Sequence, residues 1–369
     1  MRAMQAATPS RIVVGMSGGV DSAVAALRLV QAGHEVHGLF MSNWDDEDAY
    51  CTSAQDYQDA RATARELGIV LHRVSFAADY RERVFEHFLS EYQRGRTPNP
   101  DILCNREIKF GLCQHYTQRL GAAQFATGHY ARLVQGAAGP QLWRACDAAK
   151  DQSYFLSGVE RTQFSRVLFP LGDLTKAEVR ELARRAGLPV FDKPDSTGIC
   201  FIGERPFAEF LARYIPQNPG PIQTAAGQVL GTHRGLPFYT LGQRGGLKIG
   251  GVSGGHGDPW YVARKDLERN ALIVVAARDR PETGTSALQT GPVNWLTEPP
   301  SAVFSAGVKV RYRQADQSAS ISRIDGGGRI DGGVQIRFDS PQWAVTPGQT
   351  AAVYAGERCL GGGVIEETL

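Results

Sequence analysis

The sequence predicts an α/β protein, a doubly wound parallel sheet followed by two small β-rich domains, the last of them a β-barrel. Three observations carry this expectation. A β-branched run, RIVVGM at 11–16, precedes Ser17-Gly18-Gly19 and then DSAVAALRLVQA at 21–32, whose apolar residues recur at helical spacing. Strand-like and helix-like segments alternate through the first half, the pattern of a parallel sheet with crossover helices. Glycine is abundant, 42 residues beside 19 prolines, and much of the excess follows residue 217, where short alternating runs broken by turns read as antiparallel strands.

Taken in order, Gly33 ends the first helix and HEVHGLFM at 34–41 makes a second strand, which completes a βαβ unit. An acidic stretch at 43–48 leads to a helix from about 53 to 67 and a third strand at 69–74. Helical sequence continues to Tyr92, Pro98 and Pro100 punctuate a loop, and QFAT at 124–127 is a short strand ending in Gly128-His129. A helix at 176–186 and the irregular LPVFDKPDSTGICFIGER lead to a boundary near 208. The expected division is 1–208, 209–283 and 284–369, with VKVRY at 308–312 and VQIRF at 334–338 as barrel strands.

A chain of 369 residues with 42% hydrophobic and 21% charged residues fits two or three globular domains and excludes a disordered or coiled-coil design. Its formal charge of +2 means that any nucleic-acid partner is held by local patches. No apolar run approaches the roughly 20 residues that span a bilayer, and the start lacks a signal-peptide pattern, so a cytoplasmic location is expected. Six cysteines are scattered without a C-x-x-C pair, which argues against a zinc ribbon, a thioredoxin-type dithiol and a clustered iron–sulfur site.

Between the first strand and helix, SGGVDS at 17–22 offers backbone amides and the positive end of a helix dipole to an anion. It lacks the lysine of the Walker loop and the spacing of dinucleotide fingerprints. The motif resembles the signature of the pyrophosphatase-loop ATP enzymes, which split ATP between its α and β phosphates and adenylate a carbonyl oxygen. The resemblance implies that Gly15, Met16, Ser17, Gly18, Gly19, Val20, Asp21 and Ser22 hold ATP, with Met41 against adenine and Gly128 beside the nucleotide. Mg2+ is expected with the triphosphate on chemical grounds, and no residue is assigned to it.

Cys104 in TPNPDILCNREIKF and Cys200 in DSTGICFIGER lie in polar sequence containing proline or glycine, unusual for structural cysteine, and Arg106 and Lys109 follow Cys104. Nearby cations favour thiolate over a free thiol pKa of about 8.5. Both windows resemble those of the bacterial tRNA-specific 2-thiouridylase family, and the match continues through TGHYAR, KDQSYFL, LGQRGGLKIGG, VKVRYRQ and AVTPGQTA. One departure is the glycine-rich IDGGGRIDGG at 324–333, expected to lengthen a hairpin. The resemblance implies ATP-dependent 2-thiolation of the wobble uridine of tRNA. In that reading Cys200 carries a persulfide, Cys104 is the partner nucleophile, and Asp101 handles a proton beside the base. It implies a sulfur-relay protein or cysteine desulfurase as donor, a monomer when free, and tRNA contacts at Asn99, Pro100, Asp101, His129, Lys150, Asp151, Gln152, Arg311, Tyr312 and Gln349. Competing readings are an amide ligase or amidotransferase of the same superfamily and a tRNA lysine-attaching enzyme, neither of which needs paired thiols, and a noncatalytic RNA-binding protein.

Overall fold

A computed structural model describes residues 10–44, 53–195, 207–249, 258–324 and 332–369. Its first sheet contains β1 (Arg11–Gly15), β2 (Glu35–Ser42), β3 (Val70–Ser75) and β4 (Gln124–Ala126); after a hairpin of β5 (Ala131–Gly136) and β6 (Gly139–Arg144), β7 (Val167–Leu168) completes it. The order is β3-β2-β1-β4-β7 and every pairing is parallel. Because side chains alternate along a strand, the central β1 feeds two cores. Val13 joins Phe88, Phe110 and Phe125 on one face, while Ile12 and Val14 join Val24, Leu29 and Val179 on the other. The sheet is therefore doubly wound. From β1 the chain goes to β2 on one side and later to β4 on the other, which opens a crevice at the carboxyl ends of these strands.

The helices α1 (Val20–Gln31) and α2 (Ser53–Glu66) follow β1 and β2. A different outcome awaits the segment expected as a proline-punctuated loop. There a helix begins at Pro100 and runs through Pro100–Leu103, a wider π-helical stretch Cys104–Cys113, and Gln114–Arg119. Proline at the first helical position forfeits no needed amide, and Asn99 caps the turn by accepting from the Asp101 amide at 3.1 Å. These residues are thus a helix start.

The middle of the chain forms a four-stranded sheet, β8 (Gly220–Thr224), β9 (Val229–His233), β10 (Trp260–Asp266) and β11 (Ala271–Ala276), in the order β10-β11-β8-β9. All six residues of β11 are buried.

The last part contains β12 (Thr285–Thr290), β13 (Asn294–Trp295), β14 (Val303–Lys309), β15 (Gln317–Arg323), β16 (Val334–Gln342), β17 (Thr350–Ala355) and β18 (Arg358–Thr368). Six of these close in the order β12-β16-β15-β14-β17-β18, with β18 returning to β12. Leu288, Val308, Ile321, Ile336, Val353 and Ile365 fill the interior. Residues 325–331, most of the glycine-rich stretch between β15 and β16, lie outside the described residues. VKVRY is only partly strand: β14 ends at Lys309, because Gln314 accepts from the Val310 amide at 3.0 Å and closes a turn that contains Arg311 and Tyr312.

The barrel is bound to the first sheet's domain by hydrogen bonds. Hairpin strand β6 adds to β18 through Trp143 and Arg358. Tyr154 OH donates to the Thr350 carbonyl at 3.0 Å, and the Asn294 side chain donates to the Ser157 and Val159 carbonyls at 2.8 Å. The Thr97 amide reaches Pro347 O at 3.0 Å, while Gln349 donates to Thr97 O at 2.7 Å.

The middle sheet has its own tie, from Lys265 Nζ of β10 to Gly95 O at 2.9 Å. Desolvation at this contact lowers the Lys265 pKa to about 8 from 10.5. Below about pH 8 both folded and unfolded chains hold the proton. Between about 8 and 10.5 the unfolded chain binds more, so this group's contribution to stability rises with pH across that window. Urea unfolding at pH 7 to 10 is expected to show that rise in the wild type relative to Lys265→Met; parallel curves would refute it.

Candidate active site

The glycine loop lies where β1 ends beside the crevice. Its shape comes from hydroxyls: the Ser17 amide donates to Ser22 Oγ at 3.2 Å, and Ser22 Oγ donates to Gly19 O at 3.0 Å. Gly18 has φ +77°, and a Cβ there would collide with the Asp56 carbonyl of α2. Gly19 occupies the N-cap of α1 and supplies no side-chain cap. The first-turn amides and the dipole of this twelve-residue helix are therefore available to an anion.

Gly128, just beyond β4, closes the other wall of this site. A Cβ there would stand 2.7 Å from the Ser22 amide nitrogen, so only glycine permits this approach to the helix start. Met16 and Val20 are buried, and the Met16 amide donates to Leu39 O at 2.8 Å, which ties the loop to β2. Met41 sits partly buried near the carboxyl end of β2, paired with Val74 of β3.

Asp21 is the loop's carboxylate. Its Oδ1 accepts from Tyr130 OH at 2.8 Å and from Lys176 Nζ at 2.6 Å. Lys176 also reaches Asp195 at 2.8 Å, and Asp195 binds Lys150 at 2.6 Å and Arg180 at 2.9 Å. On the opposite side, Lys193 Nζ donates to Gly18 O at 3.0 Å and pairs with Asp56 at 2.7 Å and Asp59 at 2.5 Å. Tyr130, Lys176, Lys193 and Asp195 are not in the motif, and no sequence spacing connects them to it.

A second group gathers at the helix beginning with Pro100. Asp101 stands in its first turn, partly exposed, and Cys104 is buried at the start of the π-helical stretch. Burial raises the Asp101 carboxyl pKa, and the nearby Lys109 ammonium opposes that rise. Lys109 also acts on the buried Cys113 thiol, which desolvation pushes up to about 12, with Cys104 adding to the rise. In a turn bonded i to i+5, residues 104 and 109 come to the same side, and such turns concentrate at functional sites. Cys200 lies outside the described residues, so its distance from Cys104 is not part of this geometry.

The residues expected on tRNA divide into three settings. Asn99 lies against the Tyr154 hydroxyl, the Phe155 and Tyr312 rings stand 4.4 Å apart, and Gln349 holds Thr97; the helix start and the barrel turn therefore meet. Arg311, exposed, braces this turn by donating from Nη2 to the Trp343 and Ala344 carbonyls at 2.9 and 2.7 Å. His129 is 9% exposed, bonded through Nδ1 to Thr127 Oγ1 at 2.7 Å and packed on Phe110 and Phe169. Burial, aided by Lys109, holds it well below the usual histidine range and hence neutral. Asp151 is buried and accepts from the Ala145 and Ser153 amides at 3.1 and 3.2 Å and from Ser153 Oγ at 2.9 Å; it shapes the loop. Gln152 accepts from the Tyr130 amide at 2.9 Å, and Lys150 belongs to the Asp195 network.

No helix among the described residues is long and apolar enough to cross a membrane. Family models match residues 10–204 as a tRNA methyl transferase HUP domain, 208–276 as a tRNA methyl transferase PRC-barrel domain and 285–365 as an aminomethyltransferase beta-barrel domain. The chain is 52% identical over 370 residues to the tRNA-specific 2-thiouridylase MnmA of Chromohalobacter salexigens, covering 100% of this chain and 95% of that one. Against the protein of the same name from Cupriavidus necator, identity is 52% over 360 residues, with 96% and 98% covered. Among solved structures, a 4-thiouridine synthetase–RNA complex with bound ATP is similar at 20% identity and a TM-score of 0.36, over 56% of this chain and 50% of that one. The extent and level of identity to the named relatives show that this protein belongs to the tRNA-specific 2-thiouridylase family.

Proposed function

We propose that the protein catalyses ATP-dependent 2-thiolation of the wobble uridine of tRNA. The observation that best supports it is the Gly128-His129 step. Gly128 packs on the Ser22 amide of the glycine loop, while the His129 ring packs on Phe110 of the Cys104–Cys113 stretch with centroids 5.7 Å apart, so the loop adjoins the helix that carries Asp101 and Cys104. In this reading residues 1–208 form the catalytic domain, 209–283 a central domain, and 284–369 a barrel that contributes to tRNA binding.

The uridine C2 carbonyl is a poor electrophile. Its oxygen attacks the α-phosphorus of ATP, pyrophosphate leaves, and the amides of the α1 first turn stabilise the departing charge. Asp21 is the loop carboxylate that would hold a Mg2+ brought in with the triphosphate, since Tyr130 and Lys176 both bond its Oδ1, and the ion would offset part of the phosphate charge. Cys200 carries sulfane sulfur delivered by a relay protein or cysteine desulfurase. The Cys104 thiolate attacks Cys200 Sγ, the bond to the outer sulfur breaks, and the released hydrosulfide adds to C2. AMP leaves with the former carbonyl oxygen, and a thiol reductant reopens the Cys104–Cys200 disulfide. Asp101 takes up the proton that must move in this exchange. The enzyme acts as a monomer when free, in the cytoplasm, on uridine splayed from an anticodon loop.

Cys104→Ser and Cys200→Ser are each expected to abolish thiolation while tRNA adenylation, read as pyrophosphate release, survives. Full thiolation by either variant with a persulfide donor would refute the two-cysteine scheme. Asp101 works ionised, so activity is lost as pH falls through its raised pKa; Asp101→Asn should lower kcat by about a hundredfold and remove that acid limb. Lys109→Met should move the limb to higher pH, because the cation that opposes the rise is gone; a shift the other way would reject the assignment. Arg311→Ala is expected to weaken tRNA binding and reduce its log–log salt slope by about 1. Unchanged anisotropy titrations across salt would take the barrel turn out of the RNA site.

A further inference from the structure

The helix Lys176–Arg185 opens with a lysine, although a cation at a helix start opposes the helix dipole. That start is secured without the ammonium. Thr175 and Glu178 form a reciprocal capping box, and the Lys176 amide donates to Asp147 at 2.9 Å. The side chain, 12% exposed, instead lies between two carboxylates, 2.6 Å from Asp21 Oδ1 and 2.8 Å from Asp195 Oδ1. Asp21 belongs to the glycine loop. Asp195 continues through its other oxygen to Lys150 at 2.6 Å, and it also takes Arg180 at 2.9 Å. An unbroken chain therefore runs from Asp21 through Lys176 and Asp195 to Lys150.

Lys150 and Arg180 reach only Asp195, while Lys176 reaches both Asp21 and Asp195, so the two acids compete for the one cation they share. Burial alone would raise the Asp195 pKa, but bonds from Lys150 and Lys176 outweigh it and hold the group at about 2. Asp195 is thus ionised at neutral pH and responds to the loss of either lysine.

We propose that Lys176 and Asp195 are positioning residues that couple nucleotide binding at the glycine loop to tRNA binding at Lys150; this rests on the thiouridylase reading above. The basis is competition for shared partners. When an RNA phosphate draws Lys150 away, Asp195 loses a cation and holds Lys176 more strongly. Asp21 is then left with more uncompensated negative charge for the cation that accompanies a triphosphate. Lys193 meanwhile secures the loop backbone at Gly18 O, so the change is confined to the Asp21 side. Linkage requires that nucleotide tighten tRNA binding by the same factor.

The test uses the full chain, α,β-methylene-ATP with Mg2+, and tRNA bearing an unmodified wobble uridine. The analogue's Kd is measured with and without saturating tRNA, and thermal melting monitors folding. Wild type should show tightening of about fivefold or more. Lys176→Met and Asp195→Asn should bring the ratio to within about twofold of one. Lys176→Arg, which still bridges two carboxylates, and Arg180→Gln, which touches Asp195 without reaching Asp21, should retain it. A merely structural role would lower affinities without changing the ratio. Coupling that survives in Lys176→Met, or wild-type binding of both ligands with a ratio of one, overturns this inference alone. Failure of the wild type to bind tRNA overturns the thiouridylase reading as well. If Lys176→Met does not fold, Asp195→Asn decides the matter.

Discussion

A helix that starts without a side-chain cap is the constraint on which this site depends. Helix starts normally satisfy their loose amides with a serine, threonine or aspartate at the cap, yet α1 has Gly19 there. The loop's two serines are turned toward each other and to loop backbone, so their hydroxyls shape the turn. The parallel sheet sets this helix start beside the end of β4, and the missing side chain of Gly128 lets the two backbones come together. What these positions lack leaves the first-turn amides of α1 open to an anion. The carboxylate within the loop itself, Asp21, is held by Tyr130 and Lys176, which arrive from distant parts of the chain.

The second half of the site follows from pitch. From Cys104 to Cys113 the helix is wound wider than an α-helix, which brings Lys109 toward the side of Cys104. One ammonium then acts on Asp101, Cys113 and His129. Its effects differ because the groups differ: it opposes the raised carboxyl, favours thiolate, and together with burial keeps the imidazole neutral. The barrel completes the surface. Its contacts at Thr97, Tyr154 and Ser157 bring the turn bearing Arg311 and Tyr312 against Phe155, in the segment that follows Lys150-Asp151-Gln152.

Much of the fold was legible because its signals are local. Strand, glycine turn and helix at 11–32 follow from β-branched residues, a positive-φ glycine and 3.6-residue spacing. The uncapped helix start after the first strand, on which the proposed anion site rests, was equally readable. Pro100 misled, because proline signals both loops and first helical turns, and only Asn99 as a cap separates the two. The end of β14 was missed because a glutamine side chain, not a change in residue pattern, terminates it. Among the residues expected on RNA, His129 and Asp151 carry internal bonds and little exposed surface, a distinction set by packing.

By itself the sequence determined the opening strand–helix–strand unit, the glycine turn and its chemical character, since each is governed by residues within a few positions of one another. Tertiary structure alone decided the partners of Asp21 and Asp195, the company of Lys109, and the seating of the barrel turn beside the Pro100 helix. Ion pairs and desolvation depend on separations in space, and residues as far apart as Asp21 and Lys176 acquire theirs only when the sheet and its helices close upon one another.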